Sequence, residues 1–442
     1  MERVIRELQT RVQQWQFQAP GLLRASLPVA DTDPLRWLES NPLAPRCYWQ
    51  DRSDQIRVAG LDVAWRCTAD RPEEQPALVH RAQHLSRQSD VRLLCAFSSD
   101  GKPGSGHWQG FPASFALLPA LELQNNDSGS LLSVNLHANS AEELELRKTK
   151  LLHLLRKLRS PQPSIDQSAR VTQRKENLDF NEYSGQLKTI LSEIQKGHLQ
   201  KVVLAREVAV QLDQPLPAFT TLRRWSALCN SCYCFAIEHA GRIFMGCSPE
   251  RLFYRNGDLV QTESLAGTVR RGKTKTEDAV LETALRNDPK LIREHDWVTH
   301  HICGELEPWA SHITVPDQPS VLKLDCIQHL RMPIQATLRP GVSDHHLLQA
   351  LHPTAAVCGF PRDSARRLID QQEGFQRGWY SGVVGLLSGT TTELAVAIRS
   401  VLVDDKQAWC FSGAGIVHGS EPEAEWQELE AKIESFLVVA QG

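Results

Sequence analysis

Apolar positions over the first ~140 residues recur with two periods. In MERVIRELQTRVQQWQFQ, Val4, Ile5, Leu8, Val12 and Trp15 stand between charged and amide residues, the spacing of one buried helical stripe. Runs rich in branched and aliphatic residues follow at 57–67, 91–97, 114–123 and 130–136 and predict strands. Residues 141–159 return to a charged amphipathic helix. The stretch SPQPSIDQSARVTQRKEN after it has no apolar period and predicts a linker. The chain therefore divides into a sheet-rich region over 1–165, expected to belong to one intertwined fold, and a second region over 175–442.

The pattern sharpens from Asp179. Asp179 and Glu182 have the spacing of a capping box, Phe180, Tyr183, Leu187, Ile190, Leu191 and Ile194 share a helical face, and Gly197 marks the end. HLQKVVLAREVAVQL reads as a strand, as does GRIFMGC, and RLFYRNGDLVQTESLAG reads as a hairpin turning at Asn256-Gly257. Helices are predicted at 276–287 and 289–309. The runs VLKLDCIQHL, WYSGVVGLLSG, ELAVAIRSVLV and AWCFSGAG then predict strands, with a helix around 362–372 among them and EPEAEWQELEAKIESFLVVA as a closing helix. Hairpins mixed with strand-helix segments do not make a doubly wound parallel sheet. The expected class is α+β, with large antiparallel sheets and packed helices.

Composition narrows the function classes. The chain has 442 residues, and 49 Lys and Arg against 52 Asp and Glu leave a net charge of −3, which provides no basic field for nucleic acid. No run approaches the roughly 20 apolar residues of a membrane helix, and the start lacks the apolar core of a signal peptide, so a cytoplasmic protein is expected. Eleven cysteines, an odd number and mostly isolated, fit reduced thiols. Cys229, Cys232 and Cys234 form a C-x-x-C-x-C run without a second pair to complete a zinc or iron-sulfur site.

Several groups could carry chemistry. Gly267 to Thr274 matches the G-x-x-x-x-G-K-[ST] phosphate loop, which makes an NTPase an alternative. LVQTESLA is, however, too polar for the buried parallel strand such a loop requires. Gly413-Ala414-Gly415 suggests a tight turn where backbone amides approach an anion. Glu421, Glu425, Glu428 and Lys432 fall on one helical face, which is either solvated or able to hold Mg²⁺ through oxygen ligands. Glu294 shares a face with Val298 and lies either near a pocket, where a cation partner is expected, or at the edge of the core. Lys201 at a strand end and Glu250 after Ser248-Pro249 would both be solvated in the simplest reading.

These groups fall within connected motifs. LQKVVLAR, FMGCSPERL, TESLAGTVRRG, IREHDWV, QHL, HPTAAVCGFPR, WYSGVVG and GAGIVHGSEPEAEWQELEAK run in order over about 175–442 and resemble the chorismate-utilising enzymes, most closely the isochorismate synthases. The N-terminal half resembles the family weakly, chiefly through CYWQDR. The phosphate-loop match is then accounted for, since its first glycine belongs to the family's L-A-G-T segment.

The resemblance implies a fold like that of anthranilate synthase component I and a Mg²⁺-dependent conversion of chorismate to isochorismate. Water would attack the ring carbon next to the carboxylate-bearing one, and the hydroxyl two positions further round would leave. By the same resemblance Lys201 is the water-activating base and Glu250 the general acid, which requires both pKa values to lie shifted toward neutrality. Glu294 and Glu428 match the magnesium ligands, with Glu425 contacting the metal through water. Tyr380, Arg399 and Lys432 match positions that hold the substrate carboxylates, the amides of Gly413, Ala414 and Gly415 add donors, and Thr268 and His329 complete the pocket. Ammonia-using relatives carry glutamine at position 201. The nucleophilic lysine of aminodeoxychorismate synthases would fall at position 266, where this chain has Ala266, so water is favoured. A menaquinone role is favoured over a siderophore role, a salicylate synthase with an added pyruvate lyase step is the alternative, and no nucleic-acid, membrane or obligate protein partner is implied.

Overall fold

The computed structural model describes residues 1–162, 168–229, 231–323 and 327–442, the side chains of residues 294 and 327 excepted. Among the described residues twenty strands join in one hydrogen-bonded network whose pairings are all antiparallel. Ser114–Asn126 is the hub. It pairs with Arg57–Ala69, Leu93–Phe97 and Gly129–Ala138, and two arms grow from the first two of these.

One arm continues through Arg46–Gln50, Tyr233–His239, Arg242–Ser248, Ser400–Asp404, Gln407–Val417 and Lys201–Leu212. The other runs through Val383–Leu387, Thr391–Val396, Arg251–Asn256, Leu259–Arg270 and Ile327–Leu338. Trp49, Phe235, Phe244 and Phe411 from the first arm meet Leu94, Phe115, Val384 and Ala395 from the hub and second arm in a core with Trp108 and Trp379. Burying such large rings between the two arms drives their association. Helices cover the outer faces, among them Phe180–Gln195 and Pro422–Gln441, which pack Tyr183, Leu187, Ile190 and Leu429 onto Val202, Leu204, Ala414 and Ile416. The capping box of Asp179 and Glu182 starts the first of these helices as the sequence predicts. No described helix is long and apolar enough to cross a membrane.

Four expectations need correction. Part of the expected linker is the strand Val171–Glu176, which pairs with Lys201–Leu212. Its side chains are nearly all exposed, so an edge position removes the apolar alternation that reveals a half-buried strand. ELAVAIRSVLV is not one strand but two, Thr391–Val396 and Ser400–Asp404, which lie in different arms. Arg399 between them has φ 48°, a left-handed conformation uncommon for a non-glycine residue. VLKLDCIQHL is likewise two strands, Ser320–Lys323 and the start of Ile327–Leu338, paired with each other; residues 324–326 lie outside the described residues. Finally, Gly413-Ala414-Gly415 is not a turn. It lies inside the strand Gln407–Val417, opposite Ala205, Leu204 and Val203.

Candidate active site

The chain passes directly from one arm to the other at Pro249-Glu250 and at 397–399, and these two crossings are bonded together. Ser248 Oγ donates to the Val396 carbonyl (2.6 Å) and accepts from the Glu250 N–H (3.3 Å), and the Val396 N–H donates to the Glu250 carbonyl (3.0 Å). The Arg399 carbonyl accepts from the Cys247 N–H (3.1 Å), and an added Cβ on Gly246 would stand 2.6 Å from that carbonyl oxygen. Glycine there lets the second crossing lie against the first. Glu250 and Arg399 are thereby held beside one cavity.

The cavity has a volume of about 280 Å³. Lys201, Glu250, Thr268, His329, Tyr380, Arg399, Gly413, Gly415, Glu425, Glu428 and Lys432 all line it. Residues spread over more than 230 positions are thus brought together. Lys201 and Glu250 are 9% and 8% exposed, so neither is the solvated group that its local sequence suggests.

The glycines make room for side chains. A Cβ on Gly415 would stand 2.8 Å from Lys201 Cε, and one on Gly413 would stand 2.9 Å from the Tyr380 hydroxyl. Ala414 is placed differently from its two neighbours. Alternation along the strand turns its side chain into the outer core with Ile416 and Leu429, and it does not line the cavity. Glu294 lies on the helix Pro289–Leu306, whose first turn brings Lys290 and Leu291 to the cavity, but its side chain is outside the described residues.

Lys290 was not singled out in the sequence. Its only local signal is its place one helical turn before Glu294. It lines the cavity, donates to the Gly419 carbonyl (3.4 Å) and helps to offset the charge of Glu425.

The charges are arranged by burial and pairing. Burial pushes the Glu250 carboxyl up from 4.5 to about 7, against the pull of a hydrogen bond from Thr354 and of Lys201 and Lys432, with Glu263 adding to the rise. Lys432 donates to Glu428 Oε1 and to the Gly413 carbonyl, both at 2.7 Å, and its charge holds Glu428 below the ordinary carboxylate value. Glu425 is raised, chiefly by burial. Burial, with Arg399 and Lys432 adding to it, drops His329 to about 3, so the ring is neutral where Nδ1 meets Thr268 Oγ1 at 2.9 Å. The cavity therefore joins four basic side chains to an acid kept protonated close to neutral pH.

Glu250 carries a stability cost with a defined sign. Unfolded, it ionises above about pH 4.5; folded, it keeps its proton to about pH 7, so stability falls as pH rises through that window. A shift of this size corresponds to about 3 kcal/mol at pH 8. Glu250→Gln is expected to unfold at higher urea than the wild type at pH 8, with the difference vanishing below about pH 4. A difference independent of pH would contradict the assignment.

The phosphate-loop match fails on geometry. Gly267 sits within the strand Leu259–Arg270, whose neighbours are antiparallel. The amides that would cradle a phosphate are occupied: the Gly272 N–H donates to Asp278 Oδ1 (2.9 Å) and the Lys273 N–H to Glu277 Oε2 (2.8 Å). Lys273→Ala is expected to leave turnover within about twofold, as for a surface substitution away from the site, in a steady-state assay of the wild type and the variant. Among the described residues no group of three or more His, Cys, Asp or Glu side chains is arranged to hold a metal ion, and no disulfide forms.

Comparison with known proteins places residues 7–440 on the family model described as chorismate binding enzyme. The isochorismate synthase MenF of Bacillus subtilis (strain 168) is 30% identical over 442 residues, covering 95% of this chain and 94% of the relative. The salicylate biosynthesis isochorismate synthase of Pseudomonas aeruginosa is 32% identical over 445 residues, covering 94% and 90%. Among solved structures, MenF, the menaquinone-specific isochorismate synthase from Escherichia coli, superposes with a TM-score of 0.88 at 29% identity, covering 99% of this chain and all of that one.

Proposed function

The chain belongs to the chorismate-binding enzyme family, and on that premise we infer that it is an isochorismate synthase. The observation that carries this reading is the opening of Lys201 and Glu250, a base and an acid, onto one cavity lined by Lys290, Arg399 and Lys432. Chorismate is a dicarboxylate, and a site with an excess of basic side chains suits it.

In the proposed forward reaction Lys201 takes a proton from water as its oxygen bonds to the ring carbon next to the carboxylate-bearing one. Glu250 gives its proton to the hydroxyl leaving from two positions further round, so one water enters and one leaves. Arg399 and Lys432 hold substrate carboxylates, and the Tyr380 hydroxyl, kept protonated by burial, can donate to one. Ala266 lines the cavity where an amine nucleophile would otherwise stand, which supports water as the attacking group.

Glu428 and Glu425 offer oxygen donors to the cavity, a donor set that suits Mg²⁺, and with Glu294 they would hold it. The bound ion would supply positive charge against the substrate's ring carboxylate. The description of the similar Escherichia coli enzyme as menaquinone-specific supports a role in menaquinone biosynthesis, which we place in the cytoplasm.

Purified protein supplied with chorismate, Mg²⁺ and excess ammonium is expected to yield isochorismate and no aminated product. Salicylate with pyruvate would move the chain to the salicylate synthases, and anthranilate or aminodeoxychorismate would overturn the choice of nucleophile.

A further inference from the structure

The base of the proposed reaction stands on a strand and the acid in a crossing between strands, yet one short segment touches both. Gly359–Phe360 pairs antiparallel with Val202 and Lys201. The Gln200 N–H donates to the Phe360 carbonyl (2.9 Å) and the Val203 N–H to the Cys358 carbonyl (2.8 Å). Gly359 has φ 136°, and an added Cβ would lie 2.2 Å from the Lys201 carbonyl oxygen, so the approach to the lysine strand requires glycine. At the other end Thr354 Oγ1 donates to Glu250 Oε1 (3.2 Å), with both residues buried. The span between is tied by hydrogen bonds. The N–H groups of Val357 and Cys358 both donate to the Thr354 carbonyl (3.2 and 2.9 Å), and Arg377 donates to the carbonyls of Val357 (2.7 Å) and Val203 (2.8 Å).

We propose that Thr354 is a positioning residue for the reaction. Its hydroxyl aims the Glu250 carboxyl and tunes its proton affinity, and its segment fixes the acid relative to Lys201. The inference rests on the reading of Glu250 as general acid.

Several charged groups surround Glu250. Lys201 faces it from the strand Lys201–Leu212 and Lys432 from the last helix, and both favour the ionised form. Glu263 from Leu259–Arg270 opposes that form. Arg52 and Arg331 bond Glu263, and Arg52 also reaches the Pro249 carbonyl (3.2 Å). Arg251, next in the chain, turns to Tyr233 and Glu393. Among these partners Thr354 is the neutral donor. A hydroxyl donating to a carboxylate favours its charged form, so loss of the bond lets Glu250 hold its proton to higher pH. A buried threonine that only fills space would have no such effect.

Thr354→Val keeps the shape and removes the donor, while Thr354→Ser keeps the donor. For both, kcat and KM for chorismate are measured across pH, and the limb due to Glu250 is identified as the one missing from the residual rate of Glu250→Gln. The valine variant is expected to lose about tenfold in kcat, with KM within about twofold and that limb moved to higher pH, and the serine variant to restore both. If valine does not fold, Thr354→Ala is read in the same way. A limb unmoved in the valine or alanine variant, or a serine variant that matches valine, would overturn the proposal. A wild type that makes no isochorismate would instead refute the functional reading on which it rests.

Discussion

Lys201→Ala is expected to lower single-turnover conversion of chorismate by about 10²- to 10⁴-fold, the usual contribution of a positioned general base. Chorismate affinity should change far less, because Arg399 and Lys432, not Lys201, are assigned to the substrate carboxylates. Glu250→Gln should lose a comparable factor in turnover and also gain stability above pH 7, a pairing expected of a group buried for its chemistry at the expense of the fold. Single-turnover rates and chorismate dissociation constants for both variants separate catalysis from binding. A Lys201→Ala protein that turns over normally but binds chorismate weakly would make Lys201 a substrate clamp.

The second large effect is expected at Glu428. Glu428→Gln removes a charged oxygen donor and the ion pair with Lys432 (2.7 Å). It should abolish Mg²⁺-dependent turnover and weaken Mg²⁺ binding, followed by calorimetry, by at least about tenfold. Glu425→Gln should have the smaller effect. Undiminished turnover of Glu428→Gln at limiting Mg²⁺ would refute the metal assignment. Unchanged Mg²⁺ binding with lost turnover would make Glu428 the partner that orients Lys432.

What could be read from the sequence was what local chemistry dictates. Asp179 and Glu182 announced a cap because both halves of that interaction lie within one turn. Glu425, Glu428 and Lys432 announced a common face because helical spacing requires it. Neither signal decided whether that face met solvent or a cavity; the linked motifs suggested the cavity, and the strand Gln407–Val417 beneath the helix provides it.

The failures have physical causes. Val171–Glu176 is an exposed edge strand held by backbone bonds, which leave no mark on side-chain pattern. The break at Arg399 is made by a left-handed residue that is not glycine. Gly413 and Gly415 are glycines for the sake of Tyr380 and Lys201, not for a turn, and a glycine pair does not announce which. Thr354 and Lys290 escaped notice because their roles depend on partners more than 100 residues away, Glu250 and Gly419.

The central claim is that water attacks the ring while Lys201 and Glu250 move the protons. It is tested most directly by running the early turnover of chorismate with Mg²⁺ in ¹⁸O-labelled water and weighing the product. One labelled oxygen per isochorismate, placed in the new ring hydroxyl, is the predicted result. Isochorismate formed without label would mean that the hydroxyl migrates within the substrate, and the pairing of Lys201 as base with Glu250 as acid would then be wrong.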